Sequence, residues 1–225
     1  MRKLIYLFLL IFCASCTEFL SPNIDTLILD INSPIDSLYT TSENITFWWE
    51  DDRKAETYRL QVVTPNFANP TLILDSLVAD NKHTMTLDEG VYTWRLRAEN
   101  ERAESDYFIR AFIIDHTNPI GSNVLYPMEG DTIVASSDPI QLEWQSLDYP
   151  IDGTSFAVHD SVFLYQVFGS TLLPIASYYV DRTDPKILDV TNELGGTAAE
   201  YIWQIKTIDQ AGNATTSEEY TFWLE

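Results

Sequence analysis

Cysteine is nearly missing from this chain: there are two, Cys13 and Cys16, and none beyond them. From residue 17 onward no disulfide framework and no cysteine-bound zinc can form. Basic residues are also scarce, 13 Lys and Arg against 34 Asp and Glu, for a formal net charge of −21. Such a surface repels phosphate backbones, which excludes a role on nucleic acid. Glycine is low at 8, with no Gly-x-Gly-x-x-Gly and no phosphate loop, and "DGTSFA" only half matches Gly-x-Ser-x-Gly. The three histidines, His83, His116 and His159, fall in separate segments without an acidic residue at metal spacing. They read as solvated or strand-surface residues, with His159 in a loop. Long apolar runs are missing too, apart from "LIYLFLLIFCASC" at residues 4–16.

That run is shorter than the roughly 20 residues a membrane-spanning helix needs. It follows Arg2 and Lys3 and exits through Ala14 and Ser15. A basic start, a short apolar stretch and a small-residue exit describe a secretory signal, here residues 1–15. Cys16 directly after Ala-Ser resembles the lipobox of bacterial lipoproteins, in which the signal is cut before a cysteine that is then acylated. Leu usually stands where this chain has Cys13, and the bulky Phe12 before Cys13 makes Cys13 the poorer acceptor. The resemblance implies a lipid on Cys16, residues 16–23 as a tether, and export to a bacterial membrane, expected to be the outer one. The membrane is then the first partner, held by acyl chains at about 0.8 kcal/mol per buried methylene. The alternative is a plain cleaved signal with two incidental cysteines.

The remainder reads as strands. Short alternating runs recur between Asn, Asp, Pro and Ser clusters, and helical periodicity is scarce, so the expected class is all-β. Because successive side chains leave a strand on opposite sides, "ITFWWE" puts Ile45, Phe47 and Trp49 on one face. "YRLQV" does the same for Tyr58, Leu60 and Val62, and "VYTWRLRAE" for Tyr92, Trp94, Leu96 and Ala98. The pattern then repeats. "IQLEWQ" places Ile140, Leu142 and Trp144 inward, "FLYQV" places Phe163, Tyr165 and Val167, and "YIWQIKT" places Tyr201, Trp203 and Ile205. An internal repeat of this kind predicts two tandem antiparallel β-sandwiches, residues 24–115 and 119–225. The turn-rich stretch "DHTNPIGSN" lies at their joint.

"LDEGVYTWRLRAEN", with Leu87, Gly90 and Tyr92, resembles the fibronectin type III pattern in which Leu, Gly and Tyr lead into the sixth strand. The tyrosine hydroxyl of such folds bonds back to nearby backbone, and the family's first Trp matches Trp49. In the second repeat Leu194 and Tyr201 stand further apart than the pattern allows. Its end, "DQAGNATTSEEYTF", resembles the Asp-x-Ala-Gly-Asn turn of bacterial immunoglobulin-like repeats. The resemblance implies fold and little about activity, since this architecture hosts many roles.

Alternation sends Trp48 and Trp223 outward, as candidate ligand contacts or as rings covered by a local loop. The triplet Asp, then Ser or Thr, then an aliphatic residue occurs at 25–27, 36–38, 75–77, 131–133 and 160–162. It resembles the O-glycosylation acceptor of certain Gram-negative bacteria, with Thr26, Ser37, Ser76, Thr132 and Ser161 as acceptors. The competing reading is a turn capped by Asp, with the aliphatic residue opening a strand. "EDD" at 50–52, Asp148, Asp152, Asp160 and "DRTD" at 181–184 form acidic loops that could take calcium, and Asp115 could serve an interdomain ion. No EF-hand spacing is present, and a solvated acidic surface is the simpler reading. Glycoside hydrolysis needs carboxylates flanking a cleft, which small sandwiches with short loops do not offer. The chain is therefore expected to be a non-enzymatic lipoprotein without a cofactor, a binding or scaffold module for a protein or glycan partner. The alternatives are a glycan-binding accessory of a polysaccharide-uptake system and, third, a hydrolase. Metabolic labelling with palmitate is expected to mark the chain and its Cys13→Ala variant and to leave Cys16→Ala unlabelled.

Overall fold

The structure is a computed structural model that describes residues 22–135, 139–148, 159–181 and 185–225. The signal segment, Cys16, Asp152 and residues 182–184 lie outside it. The first run of strands is β1 (Ile31–Ser33), β2 (Leu38–Thr40), β3 (Asn44–Trp49), β4 (Thr57–Asn66), β5 (Asn69–Val78), β6 (Lys82–Thr86), β7 (Gly90–Glu99) and β8 (Phe108–Ile114). The second is β9 (Gly121–Tyr126), β10 (Asp131–Ile133), β11 (Gln141–Leu147), β12 (His159–Phe168), β13 (Thr171–Val180), β14 (Lys186–Asp189), β15 (Ala199–Ile208), β16 (Ala214–Thr216) and β17 (Tyr220–Leu224). One helical turn, α1 (Thr191–Leu194), precedes β15. No helix among the described residues is long and apolar enough to cross a membrane.

The two runs build the same object twice. The first makes a small sheet, β1-β3-β6, and a larger one, β2-β8-β7-β4-β5; the second makes β14-β11-β9 and β10-β17-β15-β12-β13, with β16 beside β15. In each, a short strand runs parallel to the last strand, Leu38 beside Phe112 and Thr132 beside Trp223, and the other pairings are antiparallel. Each sandwich has its own apolar cluster, one drawn from Ile24 to Ile114 and one from Val124 to Leu224.

Trp49, Trp94, Trp144 and Trp203 are fully buried. Trp94 meets Phe47 edge-on at 5.0 Å, and Trp144 meets Trp203 edge-on at 6.0 Å. Each ring removes roughly 150–250 Å² from water, so truncation to Ala costs about 3–5 kcal/mol.

The crossing into the short parallel strand is also built twice. The Asp36 carboxylate accepts from Ala111 N at 3.0 Å, and Glu129 accepts from Thr221 N at 2.6 Å. One residue on, Ser37 N donates to Ala111 O and Gly130 N to Thr221 O, both at 2.8 Å. That residue has positive φ in both copies, 59° at Ser37 and 81° at Gly130. Asp36-Ser37-Leu38 is thus a turn whose acid caps the opposite strand.

Both tyrosine corners form. Tyr92 Oη donates to Asp88 O and Tyr201 Oη to Thr197 O, each at 2.9 Å and four residues back. Each ring stacks on a phenylalanine of the last strand, Phe112 at 5.4 Å and Phe222 at 5.5 Å. The longer spacing of Leu194 and Tyr201 is absorbed upstream of the acceptor Thr197, by the left-handed Gly195 and Gly196 that follow α1, while Leu194 stays buried. Burial raises the pKa of both hydroxyls, so they remain donors at neutral pH. Tyr92→Phe and Tyr201→Phe each orphan a carbonyl and are expected to lower the unfolding free energy by about 1–2 kcal/mol, read as an earlier denaturant midpoint.

Candidate functional site

The site emerges where the two copies differ. On the larger sheet of the first sandwich, the outward positions of β4 and β7 carry Arg59, Gln61, Arg95, Arg97 and Glu99. They satisfy one another. Arg59 reaches Asp75 at 2.8 Å and Glu99 at 2.9 Å, and Arg97 reaches Glu99 at 2.8 Å. Gln61 donates to Asp75 and accepts from Arg95, at 2.8 and 2.7 Å. Hydrogen bonds from Gln61, then Arg59, hold the Asp75 carboxyl below the usual range. The Arg95 guanidinium lies between Phe67, 4.3 Å from the ring centre, and Tyr107, at 4.0 Å. This face is closed by its own charges and rings.

The second sandwich replaces that ladder position by position. Leu164 stands opposite Trp203 as Val62 stands opposite Trp94. In this register Arg59 corresponds to Ser161, Gln61 to Phe163, Arg95 to Gln204 and Asp75 to Ser177. The inward set expected on this strand, Phe163, Tyr165 and Val167, is therefore reversed. Val162 and Leu164 are fully buried, while Phe163, Tyr165 and Val167 lie half-buried on the outer face. "VFLYQV" is apolar in both phases, so its own alternation cannot choose. Asp160, buried and tied to Lys186, Trp144 and Ser146, fixes the parity.

On the outer face so exposed, Tyr165 stands beside Ile202 and Pro174, and Phe163 beside Gln204 and Ser177. One extra residue in β13 opposite the Leu164–Tyr165 step opens a shallow depression of about 400 Å³ lined by Phe163, Tyr165, Pro174, Ile175, Ala176 and Ser177. Trp223, 46 % exposed, stands beside Glu200 on the same face, with Thr132 on its other side. Trp48 is 45 % exposed but sits on the small sheet of the first sandwich, between Ser33 and Lys82. The two candidate tryptophans are thus in different sheets, and only Trp223 has aromatic company on its face.

Among the candidate acceptors, Thr26, Ser37 and Thr132 are exposed, at or near turns. Ser76 lies within β5 opposite the buried Leu60, and Ser161 within β12 between Tyr179 and Lys206; both are half-buried. The turn reading does not describe these two, which are mid-strand. His159 is in β12 rather than a loop, stacked on Tyr179 at 4.7 Å. His83 is opposite Phe47, and His116 Nε2 lies 2.9 Å from Thr41 O. Asp160 is a core residue of β12, not a loop acid, because its carboxylate is taken up by Lys186 at 2.7 Å. Among the described residues no three His, Cys, Asp or Glu side chains are grouped to hold a metal.

The joint gathers a further set. The turn Asp209–Asn213 closes on itself, with Asp209 Oδ1 accepting from Gly212 N at 2.7 Å and Asn213 N at 2.8 Å. Asn213 Nδ2 then donates to Asp115 O at 2.9 Å, and Thr215 Oγ1 to Pro119 O at 2.5 Å. The Glu89 carboxylate takes Thr117 Oγ1 at 2.8 Å and His116 N at 3.1 Å, which hold its pKa low. Asp115 is held high, first by burial, then by the negative charges of Asp209 and Glu89.

No family profile matches the chain, and no curated protein matches it. Among solved structures it is similar to the chicken CNTN1 FN1-FN3 domains, at 9% identity over 87% of this chain and 66% of that one, with a TM-score of 0.43. It is also similar to a two fibronectin type-III domain segment from chicken tenascin, at 15% identity over 88% of this chain and 97% of that one, with a TM-score of 0.31. The chain spans just under two thirds of the former. Both halves are fibronectin type III-like sandwiches. The strand order and the paired tyrosine corners carry that statement.

A carboxyl whose folded pKa is raised opposes folding above that pKa, and the penalty vanishes once pH falls below its unfolded value. Asp115→Asn keeps the acceptor for Thr117 N and removes the charge. The variant is expected to be more stable than the parent at neutral pH, with the gain fading as the pH falls through the carboxylate range, measured by denaturant melts across pH.

Proposed function

We propose that the chain is a non-enzymatic, lipid-anchored binding module of the bacterial envelope, tethered through Cys16, whose contact surface is the outer face of the second sandwich's larger sheet. One observation carries the choice of surface. At the outward positions where the first sandwich sets its paired Arg59, Gln61, Arg95 and Asp75, the second has Ser161, Phe163, Gln204 and Ser177, and Tyr165, Ile202 and Trp223 share the outer face with Phe163. Exposed apolar surface of this kind marks an interaction site, and Trp and Tyr supply most binding hot spots. One hollow of the first sandwich is open and lined by Ile35, Ser37, Leu38, Tyr39 and Gln210. Another holds Asp51 and Asp80, but Asp51 is taken up by Tyr58 Oη at 2.9 Å.

A glycan-binding accessory role is the second reading. It is favoured by the mixture on this face, where rings able to lie against sugar faces alternate with Gln204, Ser177 and Thr221. On either reading Thr26, Ser37 and Thr132 are the exposed acceptors for O-glycans.

The test immobilises the chain, a Tyr165→Ala/Trp223→Ala variant and a Trp48→Ala variant, and offers each solubilised envelope proteins and, separately, soluble polysaccharides. The double variant is expected to lose at least about tenfold in affinity, some 1.4 kcal/mol, while Trp48→Ala binds as the parent does. Equal binding by the double variant removes this face from the reading. Which of the two offers is captured decides between protein and glycan.

A further inference from the structure

At one core position the sandwiches diverge more sharply than on their surfaces. Tyr58 of the first stands opposite Ala98, packs on Trp49 at 5.2 Å, and sends its hydroxyl out to Asp51. The equivalent residue of the second, opposite Thr207, is Asp160, 0 % exposed and facing Lys186, 1 % exposed. A buried ion pair is a weak source of stability, because desolvating each ion costs several kcal/mol. The arrangement around the carboxyl is also lopsided. Oδ2 receives Lys186 Nζ at 2.7 Å, Trp144 Nε1 at 2.5 Å and Ser146 Oγ at 2.5 Å, while Oδ1 is buried without a hydrogen-bond partner among the described residues. Ser146 Oγ is itself 3.1 Å from Ser122 Oγ, which lies 2.7 Å from Thr207 Oγ1, so the donors sit in a fixed network.

The geometry points to an intramolecular amide cross-link between Lys186 and Asp160. The amine lies 2.7 Å from Oδ2 of the carboxyl it would attack and is held there without a diffusional search, the condition under which unfavourable couplings become fast. Two protons leave Nζ, and its electron pair forms the Nζ–Cγ bond. Charge gathers on Oδ2, where Trp144 Nε1–H and Ser146 Oγ–H stand as donors in a dry site. The Cγ–Oδ1 bond breaks, and Oδ1 departs with the two protons as water. An ammonium and a carboxylate thus become one amide and one water, with no other reactant. The neutral product also removes the burial cost of two charges.

The bond would join β12 of the larger sheet to β14 of the smaller one, stapling the sandwich across its core. In a chain whose cysteines both lie in its first sixteen residues, no disulfide can serve that purpose there.

The test is peptide mass spectrometry on a tryptic digest of the purified full chain after incubation at neutral pH. The expected result is a branched peptide lighter by one water, with fragment ions placing the link between Lys186 and Asp160 and no cleavage after Lys186. The deficit is expected to vanish in Lys186→Gln and in Asp160→Ala. Linear peptides of full mass ending at Lys186 overturn the proposal. So does a water loss that survives in Lys186→Gln, since that marks a cyclised aspartate instead. The parent digest alone decides the matter if either variant fails to fold.

Discussion

Each sandwich depends on one constraint: a large indole, on β7 in the first and β15 in the second, must lie between the sheets, and strand parity then assigns every other side chain. Trp94 and Trp203 are fully buried, and the residues opposite them, Val62 and Leu164, are buried with them. Once those positions are inside, their neighbours are outside. The Arg59–Gln61 ladder and the Phe163–Tyr165 face are two answers to the same geometric demand. One closes the surface with charge pairs; the other leaves rings on it.

Much of this was legible in the residues. Strongly alternating runs such as 92–98 and 201–205 name their own inner face, and the repeat follows from matching Trp to Trp. The strand at 159–168 was not legible, because it is apolar in both phases. What settles its phase is a bond to Lys186 from another sheet, which no local window contains. The aromatic face was missed for the same reason. Aligning the copies on Trp94 and Trp203 and counting back across the hairpin would have revealed it. The corner at Tyr201 looked displaced by sequence spacing, yet the hydroxyl counts from its acceptor, not from the leucine. The Gly195–Gly196 pair inserted upstream of Thr197 leaves that distance untouched.

The two copies keep their scaffold and differ in what they present. Asp36 and Glu129, Ser37 and Gly130, Tyr92 and Tyr201 hold matching backbone bonds, despite differing in type in two of three cases. Core and surface instead diverge together along β4 and β12, where Tyr58 becomes Asp160 and Gln61 becomes Phe163. The joint adds a specific connection. In the Asp209–Asn213 turn the Asp209 carboxylate accepts from the turn's own backbone and from Asn213 Nδ2, which also donates to the linker carbonyl of Asp115.

The short strands β2 and β10 have a further consequence. By lying along β8 and β17 they cover one long flank of each larger sheet, leaving β5 and β13 as its opposite flank. An uncovered flank is a template on which another chain can continue the ladder. Pro70 and Pro174, which lack an amide hydrogen, and the extra residue that skews each pairing interrupt the row of donors there. The hairpins can therefore be ten residues long without inviting neighbours to polymerise.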